Sequence, residues 1–385
     1  MGRFYYFYQK IKLEDIRSFI SASLKQRESN DSLRMLKTES SLIDFCSNDY
    51  LSFSRSAELK QLYELELKKY PGYKLGSTGS RLLAGNNQFT EDLEQDISDF
   101  HGSEASLLFN SGYDANVGLL SCLPKRGDTI ICDEYIHASI IDGARLSHSS
   151  RFIFRHNNME SLEEKLKLAK GLIYIVVESI YSMDGDEAPL EDICRLAKKF
   201  GAAVIVDEAH AIGIFGDRGN GIVHQMGLCR EVFARIITFG KGLGTHGAAV
   251  LGSQELRAYL INFSRSFIYT TAASFQSHLA IKVSYNYLKV IRPQADLFER
   301  IEYFKSNIRM QESLIKSRSA IQIVLIGGNT KAREIAGEIQ QAGFDVRAIL
   351  SPTVPEGSER LRICIHNHNS YKEIKDLCQT VNHVL

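Results

Sequence analysis

The amino-acid sequence predicts an α/β fold, in which a mostly parallel β-sheet with helices on both faces is followed by a smaller α/β unit. From about residue 91 onward, short apolar runs of strand length alternate with segments whose apolar residues recur at helical spacing. Several such βα units in series are typical of a parallel sheet. Near residue 274 a long helical stretch replaces the alternation. The 385 residues are enough for one large domain and a smaller one.

The first half of the chain contains most of the predicted strands. Residues 5–36 are polar, with charges spread along them, and are predicted to be helical; Ser41–Cys46 is predicted to be extended. Helices are predicted at Glu91–Phe100, Ala138–Leu146, Ser161–Ala169 and Leu190–Phe200. Apolar runs of strand length are Ser106–Phe109, Thr129–Cys132, Arg151–Phe154, Leu172–Val177, Ala202–Val206, Arg235–Thr238 and Ala248–Gly252.

The C-terminal part begins with a helical stretch from Ser274 through Ile291, which Pro293 interrupts. The elements predicted after it are strands at Ile321–Ile326, Asp345–Ile349 and Leu361–Ile365 and helices at Thr330–Ala342 and Tyr371–Val384. The chain is therefore expected to divide into an N-terminal helical and extended segment (residues 1–47), a large domain (48–280) and a small C-terminal α/β domain (281–385).

Composition excludes several classes of partner. The 46 basic and 46 acidic residues cancel, so no overall field would attract nucleic acid or an anionic membrane. No apolar run approaches the ~20 residues that span a bilayer, and the N-terminus lacks the apolar centre of a signal peptide. Seven scattered cysteines without a C-x-x-C pair are typical of reduced thiols. We expect a cytoplasmic protein with neither a nucleic-acid nor a membrane partner.

An acid, a histidine and a lysine follow two successive predicted strands. Asp207 and His210 come directly after Ala202–Val206, and Lys241 comes shortly after Arg235–Thr238. In open α/β sheets ligands bind beyond the carboxyl ends of the strands. Taken singly, the three residues could be a helix cap, a partly buried histidine and a solvated charge. Together, and with glycines on both sides of the lysine, they suit covalent attachment of a bulky ligand at Lys241.

Other features converge on the same edge of the sheet. Gly112 and Tyr113 open a helix after Ser106–Phe109, and a helix N-terminus that begins with glycine suits a phosphate, although an ordinary turn explains it equally well. His137 stands just before Ala138–Leu146, where it could stack on a flat cofactor. Asp184 and Gly185 need only form a turn.

Two motifs are set aside. Gly242, Gly244 and Gly247 spell G-x-G-x-x-G, but a strand-like run follows them instead of the helix that a dinucleotide fingerprint requires, which argues against a dehydrogenase. His366 and His368 resemble a metal pair, but no cysteine or carboxylate cluster accompanies them in the sequence, and a polar loop is the simpler interpretation.

A series of motifs then gives a family resemblance. They are SNDYLSF at 47–53, GSTGSRLLAGN at 76–86, HASIIDGARLS at 137–147, SMDGD at 182–186, VDEAHAIGIFG at 206–216, TFGKGLG at 238–244 and ERLRI at 359–363. From Asn48 to about His366 the chain resembles the α-oxoamine synthases, which are fold-type-I enzymes dependent on pyridoxal 5'-phosphate (PLP). The resemblance implies a large domain with a mostly parallel seven-stranded sheet, a smaller C-terminal domain, and decarboxylative condensation of an amino acid with an acyl thioester.

The resemblance also implies roles around the cofactor. Lys241 would carry PLP covalently and move the Cα proton, and Asp207 would pair with the pyridinium nitrogen. His137 would stack on the ring, and His210 and Ser182 would reach its hydroxyl side. The residues implied around the phosphate are Gly112, Tyr113 and Thr238, together with Thr270 and Thr271 from a second subunit. The chain is therefore expected to form a homodimer.

Substrate residues are implied by the same resemblance. Arg362 would hold the amino-acid carboxylate, and Asn48 would line the site. Arg34 would approach the distal carboxylate of the acyl chain, although an ordinary helix-surface arginine is an equal interpretation. Within the family the chain is most similar to the members that use L-alanine with pimeloyl-CoA or a pimeloyl carrier protein in biotin biosynthesis.

Three departures from the family pattern bear on substrate choice: Asn158 in HNN, where HND is usual; Ser52, where glycine is usual; and CIHNH at 364–368. The alternatives left open are glycine with acetyl-CoA or succinyl-CoA, serine with a long-chain acyl-CoA, and a non-catalytic subunit of the same fold that supports a partner enzyme.

Overall fold

A central seven-stranded sheet organises the structure, a computed structural model that describes residues 13–30, 32–36, 38, 41–309 and 311–385. Its strands are β2 (Ala105–Phe109), β3 (Thr129–Asp133), β4 (Ser150–Phe154), β5 (Ile173–Glu178), β6 (Ala203–Asp207), β7 (Ala234–Thr238) and β8 (Ala248–Gly252), in the order β2-β8-β7-β6-β5-β3-β4. Strand β8 runs antiparallel to both neighbours, and the other pairs are parallel. The prediction of a mostly parallel seven-stranded sheet is confirmed.

Helices cover both faces of this sheet. They are α2 (Ala57–Leu67), α3 (Gln88–His101), α4 (Gly112–Cys122), α5 (Ala138–Leu146), α6 (Met159–Leu168), α7 (Leu190–Phe200), α8 (Ile222–Gln225), α9 (Gln254–Phe263) and α10 (Arg265–Ile268). Several of these helices begin at a polar residue whose side chain accepts a hydrogen bond from an N–H of the first turn. Asn87, Ser111 and Ser253 are such N-cap residues. One apolar cluster packs α4, α5 and α9 on the sheet, and another fills the opposite face and continues into the C-terminal part.

The C-terminal part combines long helices with small sheets. Helices α11 (Phe275–Ile291) and α12 (Gln294–Asn307) meet at Pro293, as predicted. Its remaining elements are β9 (Ile321–Leu325), α13 (Asn329–Gln341), β10 (Phe344–Asp345), β11 (Arg347–Ile349), β12 (Arg360–Cys364) and α14 (Tyr371–Val384). Strands β11, β12 and β9 form an antiparallel sheet, whereas β10 pairs in parallel with β1 (Ile43–Asp44). The division at residues 47 and 280 stays a prediction; residue 280 lies inside α11.

Two predicted elements differ from the structure. Residues 5–36 are not one helix: α1 covers Leu13–Ser29, residues 32–36 have no regular structure, and residues 1–12 lie outside the described part. The Ser32 hydroxyl donates to the Arg27 carbonyl (3.2 Å), and such side-chain bonds compete with helix continuation. The predicted strand Asp345–Ile349 breaks at Val346, a fully buried residue whose N–H donates to the Phe344 carbonyl.

Two further observations concern membrane spans and cysteines. Among the described residues, no helix combines the length and the apolar character needed to cross a bilayer. All seven cysteines lie in the described part, and all are free thiols.

Candidate active site

A cavity of about 270 Å³ opens at the carboxyl ends of β5, β6 and β7. Its lining combines residues from these strand ends with the first turns of α4 and α5. The lining residues are Asn48, Ser111, Gly112, Tyr113, Asn116, His137, Ser139, Glu178, Asp207, Ala209, His210, Thr238, Gly240, Lys241, His246 and Gly247. The structure therefore brings together eight of the predicted site residues: Asn48, Gly112, Tyr113, His137, Asp207, His210, Thr238 and Lys241.

Lys241 projects into this cavity beside His210. Its Nζ atom lies 2.7 Å from His210 Nε2. Burial lowers the pKa of Lys241 to about 8. The neighbouring Asp207 and Glu178 act in the opposite direction and raise that pKa, but burial is the larger effect. Burial, Lys241 and Arg362 together hold the pKa of His210 well below its ordinary value. The lowered pKa makes it easier for Lys241 to lose its proton near neutral pH, as an amine that forms a bond with a carbonyl compound must.

Asp207 ends β6 with both carboxylate oxygens bound. Asn116 Nδ2 donates to Oδ2 (2.7 Å), and the Ala209 N–H donates to Oδ1 (2.9 Å). These bonds fix the plane of the carboxylate, which is 5% exposed at the cavity wall. A buried carboxylate held in this way suits a protonated ring nitrogen as its partner.

Glu178 is a second buried carboxylate that the sequence interpretation does not single out. It ends β5, pairs in register with Asp207 across the sheet, and is 3% exposed. Burial and the neighbouring Asp207 raise the pKa of Glu178 to about 8. Its Oε1 is buried without a hydrogen-bond partner in the structure. Its position in the sequence could have identified Glu178 as a site residue, because it follows a predicted apolar strand just as Asp207 does.

His137 caps helix α5 from the edge of the cavity. Its Nδ1 accepts from the Ser139 N–H (3.2 Å) and lies 2.7 Å from the Ser139 hydroxyl. Asn116 Nδ2 in turn donates to that hydroxyl (3.1 Å) and to Asp207. The orientation of the imidazole ring is thus linked through Asn116 to the carboxylate at the end of β6.

The start of α4 forms the opposite edge of the cavity. A Cβ at Gly112 would stand 2.7 Å from Cγ2 of Thr238, so only glycine fits without a shift. Tyr113 is 47% exposed and donates from its hydroxyl to Asp142 (2.5 Å). Free N–H groups at a helix start and a threonine hydroxyl nearby are groups that can bind phosphate.

Arg362 lies beside the cavity and reaches it through Asn48. Arg362 Nη2 donates to Asn48 Oδ1 (2.9 Å), and Nε donates to the main-chain carbonyl of Ser182 (2.8 Å). Ser182 is buried but is not among the residues that line the cavity. The structure therefore places Ser182 behind Arg362.

Three predicted residues lie away from the cavity. Asn110 Nδ2 donates to Thr270 Oγ1 (3.0 Å) and to the Thr271 carbonyl (2.9 Å), which places both threonines beside the end of β2 in their own chain. Arg34 is exposed, beyond the end of α1 and outside regular structure, so it is not a helix-surface residue. Their roles stay predictions.

The loop after β5 is anchored on several sides. His156 lies between Asp133 (2.9 Å) and Asp186 (2.8 Å) and stacks on Tyr135. Burial acts to lower the pKa of His156, but the hydrogen bonds that its ring N–H groups donate to the two carboxylates raise that pKa to about 10. Arg360, on β12, forms an ion pair with Asp184 in this loop. The segment that carries Ser182 is therefore held by charges from both parts of the chain.

The residues that depart from the family pattern have structural partners. Asn158 caps α6 by accepting from the Ser161 N–H (2.7 Å), a role that aspartate fills equally well. Ser52 adopts a left-handed backbone (φ 63°), and its hydroxyl contacts the ring and the N–H of His368 (2.8 and 2.9 Å). Ser52 and His368, which belong to two separate departures, thus contact each other.

His366, His368 and Asp44 cluster within metal-binding range, with their ligand atoms within 4.8 Å of one another. However, Arg55 and Ser47 already donate to the carboxylate of Asp44, and the ring nitrogens of His366 contact Asn369 Oδ1 and the Ser47 carbonyl. These contacts occupy the carboxylate of Asp44 and both ring nitrogens of His366, whereas Nε2 of His368 is buried without a hydrogen-bond partner. Asp44 is a carboxylate that the sequence interpretation did not place beside the two histidines.

The described site fits PLP by the chemistry of its groups. The cavity offers a buried amine for covalent attachment, a fixed carboxylate for a ring nitrogen and a glycine-opened helix start for a phosphate. The buried oxygen of Glu178 without a partner also indicates that the cavity accommodates a polar group.

Comparisons with known proteins agree with this geometry. Residues 40–381 match the family described as "Aminotransferase class I and II". A protein of Emericella nidulans named "8-amino-7-oxononanoate synthase" is 38% identical, with 95% of each chain covered.

Two solved structures share the fold. One is a serine palmitoyltransferase variant from S. paucimobilis with bound PLP–myriocin aldimine, which has a TM-score of 0.86 and 25% identity and covers 97% of this chain and 98% of that one. The other is 8-amino-7-oxononanoate synthase from Francisella tularensis, with a TM-score of 0.77, 26% identity, and coverage of 90% of this chain and 98% of that one.

Proposed function

Because the chain belongs to the aminotransferase class I and II family, we propose that it is a PLP-dependent acyltransferase that forms 8-amino-7-oxononanoate. The proposed substrates are L-alanine and a pimeloyl thioester of coenzyme A or of a carrier protein, and carbon dioxide and the free thiol leave. The observation that carries the proposal is Lys241 at 2.7 Å from His210 in a cavity whose wall contains Asp207. The choice of substrates is supported by the relative of the same name from Emericella nidulans.

In this proposal PLP supplies, when bound, an electron sink that stabilises negative charge at the Cα atom of the amino acid. Lys241 would hold the cofactor through its amine and would move the Cα proton of the amino acid. The lowered pKa of Lys241, about 8, suits this task, since a general base works best when its pKa lies near the operating pH. Asp207 would pair with the ring nitrogen through a carboxylate that Asn116 and the Ala209 N–H keep in place.

Other residues of the chain bind and orient. His137, fixed by Ser139, would cover one face of the ring, and His210 and Ser182 would reach its hydroxyl side. Gly112, Tyr113 and Thr238 would hold the phosphate, because they surround the helix start at the cavity edge. Arg362, with Asn48 beside it, would bind the amino-acid carboxylate as a planar donor pair.

Assembly and location complete the proposal. We propose a homodimer in which Thr270 and Thr271 of one subunit complete the phosphate site of the other, and a role for Arg34 at the distal carboxylate of the acyl chain. Arg34 and Thr271 are exposed and Thr270 is half-buried, so all three are at least partly accessible to such partners. A cytoplasmic location is supported by the seven free thiols.

Other members of the same chemistry differ in substrate. The similarity to serine palmitoyltransferase gives serine with a long-chain acyl-CoA a concrete basis, and glycine with a short acyl-CoA is the remaining case. A non-catalytic subunit is disfavoured, because Lys241, Asp207 and His210 share one cavity.

The test is thiol release from purified, PLP-loaded protein with pimeloyl-CoA, supplied in parallel with L-alanine, glycine or L-serine. Release only with L-alanine, together with a product of the mass of 8-amino-7-oxononanoate, is the expected result. Release only with another amino acid or acyl donor would contradict the substrate assignment, and absence of PLP binding would contradict the proposal as a whole.

A further inference from the structure

Tyr50 connects the histidine of the cavity to the arginine beside it. Its hydroxyl lies 2.7 Å from His210 Nδ1 and donates to Asn48 Oδ1 (2.9 Å). Arg362 Nη2 donates to the same Asn48 oxygen (2.9 Å), and Lys241 Nζ lies 2.7 Å from the other nitrogen of His210. A continuous hydrogen-bonded chain therefore runs from Lys241 to Arg362.

The two ends of this chain determine its direction. Arg362 has only donors, so the Asn48 atom facing it is the amide oxygen, which can only accept. The Tyr50 hydroxyl has one proton, and donating it to Asn48 leaves a lone pair for an N–H on His210 Nδ1. His210 Nε2 then has the lone pair, which faces the N–H groups of Lys241. The opposite tautomer would set two donors against each other whenever Lys241 is protonated.

Burial keeps these protons in place. Tyr50 is 1% exposed and His210 is 4% exposed. Burial raises the pKa of Tyr50 far above its ordinary value, so the phenol keeps its proton, while the lowered pKa of His210 keeps the imidazole neutral. A neutral imidazole has one N–H, whose position its hydrogen-bond partners select.

We propose that Tyr50 is a positioning residue, which holds the imidazole proton on Nδ1 of His210 and so leaves Nε2 to accept a hydrogen bond from Lys241. The tautomer of His210 does not depend on the proposed function. Its consequence for the cofactor-bearing nitrogen of Lys241 rests on the proposed function. That consequence is stabilisation of the protonated nitrogen, because a hydrogen-bond acceptor beside it favours the form that carries more N–H groups.

The test is the variant Tyr50→Phe, which removes only the hydroxyl. Long-range ¹H–¹⁵N spectra of the ¹⁵N-histidine-labelled full chain report which ring nitrogen carries the proton, and the His210 signals among the eleven histidines are assigned with His210→Asn. We expect the Nδ1–H tautomer in the wild type and an Nε2–H or mixed signal in Tyr50→Phe. In PLP-loaded protein, the midpoint of the spectrophotometric pH titration should fall by about one unit, the loss of one buried hydrogen bond.

Tyr285→Phe is the matched control. Tyr285 is also buried, and its hydroxyl lies 2.7 Å from Nε2 of a buried histidine, His101, away from the cavity. This variant should change the His101 signal and leave the His210 signals and the titration unchanged. An Nε2–H tautomer of His210 in the wild type, or unchanged His210 signals in Tyr50→Phe, would overturn the inference. The spectra need no cofactor, so they decide the role of Tyr50 even if the chain proves not to bind PLP.

Discussion

Lys241 owes its chemistry to groups from separate parts of the chain. Burial lowers its pKa to about 8, and the carboxylates of Glu178 and Asp207 on neighbouring strands act in the opposite direction. His210 contacts its nitrogen from the segment after β6. At the scale of single residues, the proposed function therefore depends on the amine of Lys241 and on the space for a phosphate at Gly112.

Replacement of Lys241 with alanine should abolish both covalent cofactor attachment and turnover. The variant lacks the amine that holds the cofactor and moves the proton, so we expect kcat to fall roughly a thousandfold or more. Absorbance of the PLP-loaded protein and the thiol-release assay measure the two effects. Lys372→Ala, at an exposed lysine on α14 that pairs with Asp376, serves as the control and should match the wild type. Full turnover in Lys241→Ala would refute the assignment.

A methyl group at Gly112 should weaken cofactor binding. In Gly112→Ala the new Cβ would stand 2.7 Å from Thr238, so the start of α4 must shift. We expect the Kd for PLP, measured by fluorescence titration of the apoprotein, to rise about tenfold, equivalent to about 1.4 kcal/mol. Gly72→Ala, where a Cβ would meet nothing within 4 Å, should leave the Kd unchanged. Equal affinity in both variants would place the phosphate elsewhere.

At the scale of elements, the loop after β5 is positioned by ion pairs, whereas the strand ends are positioned by the sheet. His156 links the ends of β3 and β4 to this loop, and Arg360 of β12 pairs with Asp184 on it. On the far side, the fully buried pair of Glu208 and Arg235 joins the segment after β6 to β7 (Nε to Oε2, 2.6 Å). These contacts explain how short loops can hold site residues at fixed distances.

Replacement of His156 with glutamine should destabilise the fold in a pH-dependent manner. In the folded chain the pKa of His156 is raised from 6.5 to about 10, so its contribution is fully present below pH 6.5 and is lost as the pH rises through 10. Near pH 7 we expect a loss of about 1–3 kcal/mol in the free energy of unfolding. Urea unfolding at pH 7 and near pH 10.5 should show the difference from wild type shrinking at high pH.

His383→Gln changes an exposed histidine near the end of α14 and serves as the control for that experiment. Its unfolding curve should match the wild type at both pH values. A gap between His156→Gln and wild type that is as large near pH 10.5 as at pH 7 would contradict an imidazolium held between Asp133 and Asp186.

At the scale of the whole molecule, one chain forms the cavity but leaves Thr270 and Thr271 outside its lining. Residues 43–44 pair with β10, and Asn48 contacts Arg362 beside the cavity, so residues before the central sheet pack against the C-terminal part. The proposed homodimer would supply the missing threonine contact from the second copy.

Two inactive variants should therefore restore each other when mixed. Thr271→Asp places a negative charge at an exposed position where the phosphate of the partner subunit is proposed to lie, and Lys241→Ala lacks the amine. Joint refolding should return part of the thiol-release activity, since one site of the mixed dimer combines an intact Lys241 with an intact Thr271. Persistent inactivity of a mixture shown by ultracentrifugation to be dimeric would contradict the shared site.

The sequence by itself determined the alternation of elements and the residues that follow each strand. Periodicity and apolar runs predicted the strands of the central sheet, and α5, α7 and α14 begin and end where predicted, because these patterns reflect which side chains face the core. Asp207, His210 and Lys241 could be identified because they lie at or within a few residues of the ends of buried strands, and parallel strands end at one edge.

Only the tertiary structure decided which of these side chains meet. Glu178, Tyr50 and Asn116 contact the predicted site residues, but their sequence positions resemble those of ordinary buried polar residues until strands and loops are packed together. The termination of α1 at Ser29 and the break at Val346 depended on local hydrogen bonds and burial that periodicity does not encode. Contacts between residues far apart in the chain set the pKa values and the proton positions, because burial and neighbouring charges exist only in the folded molecule.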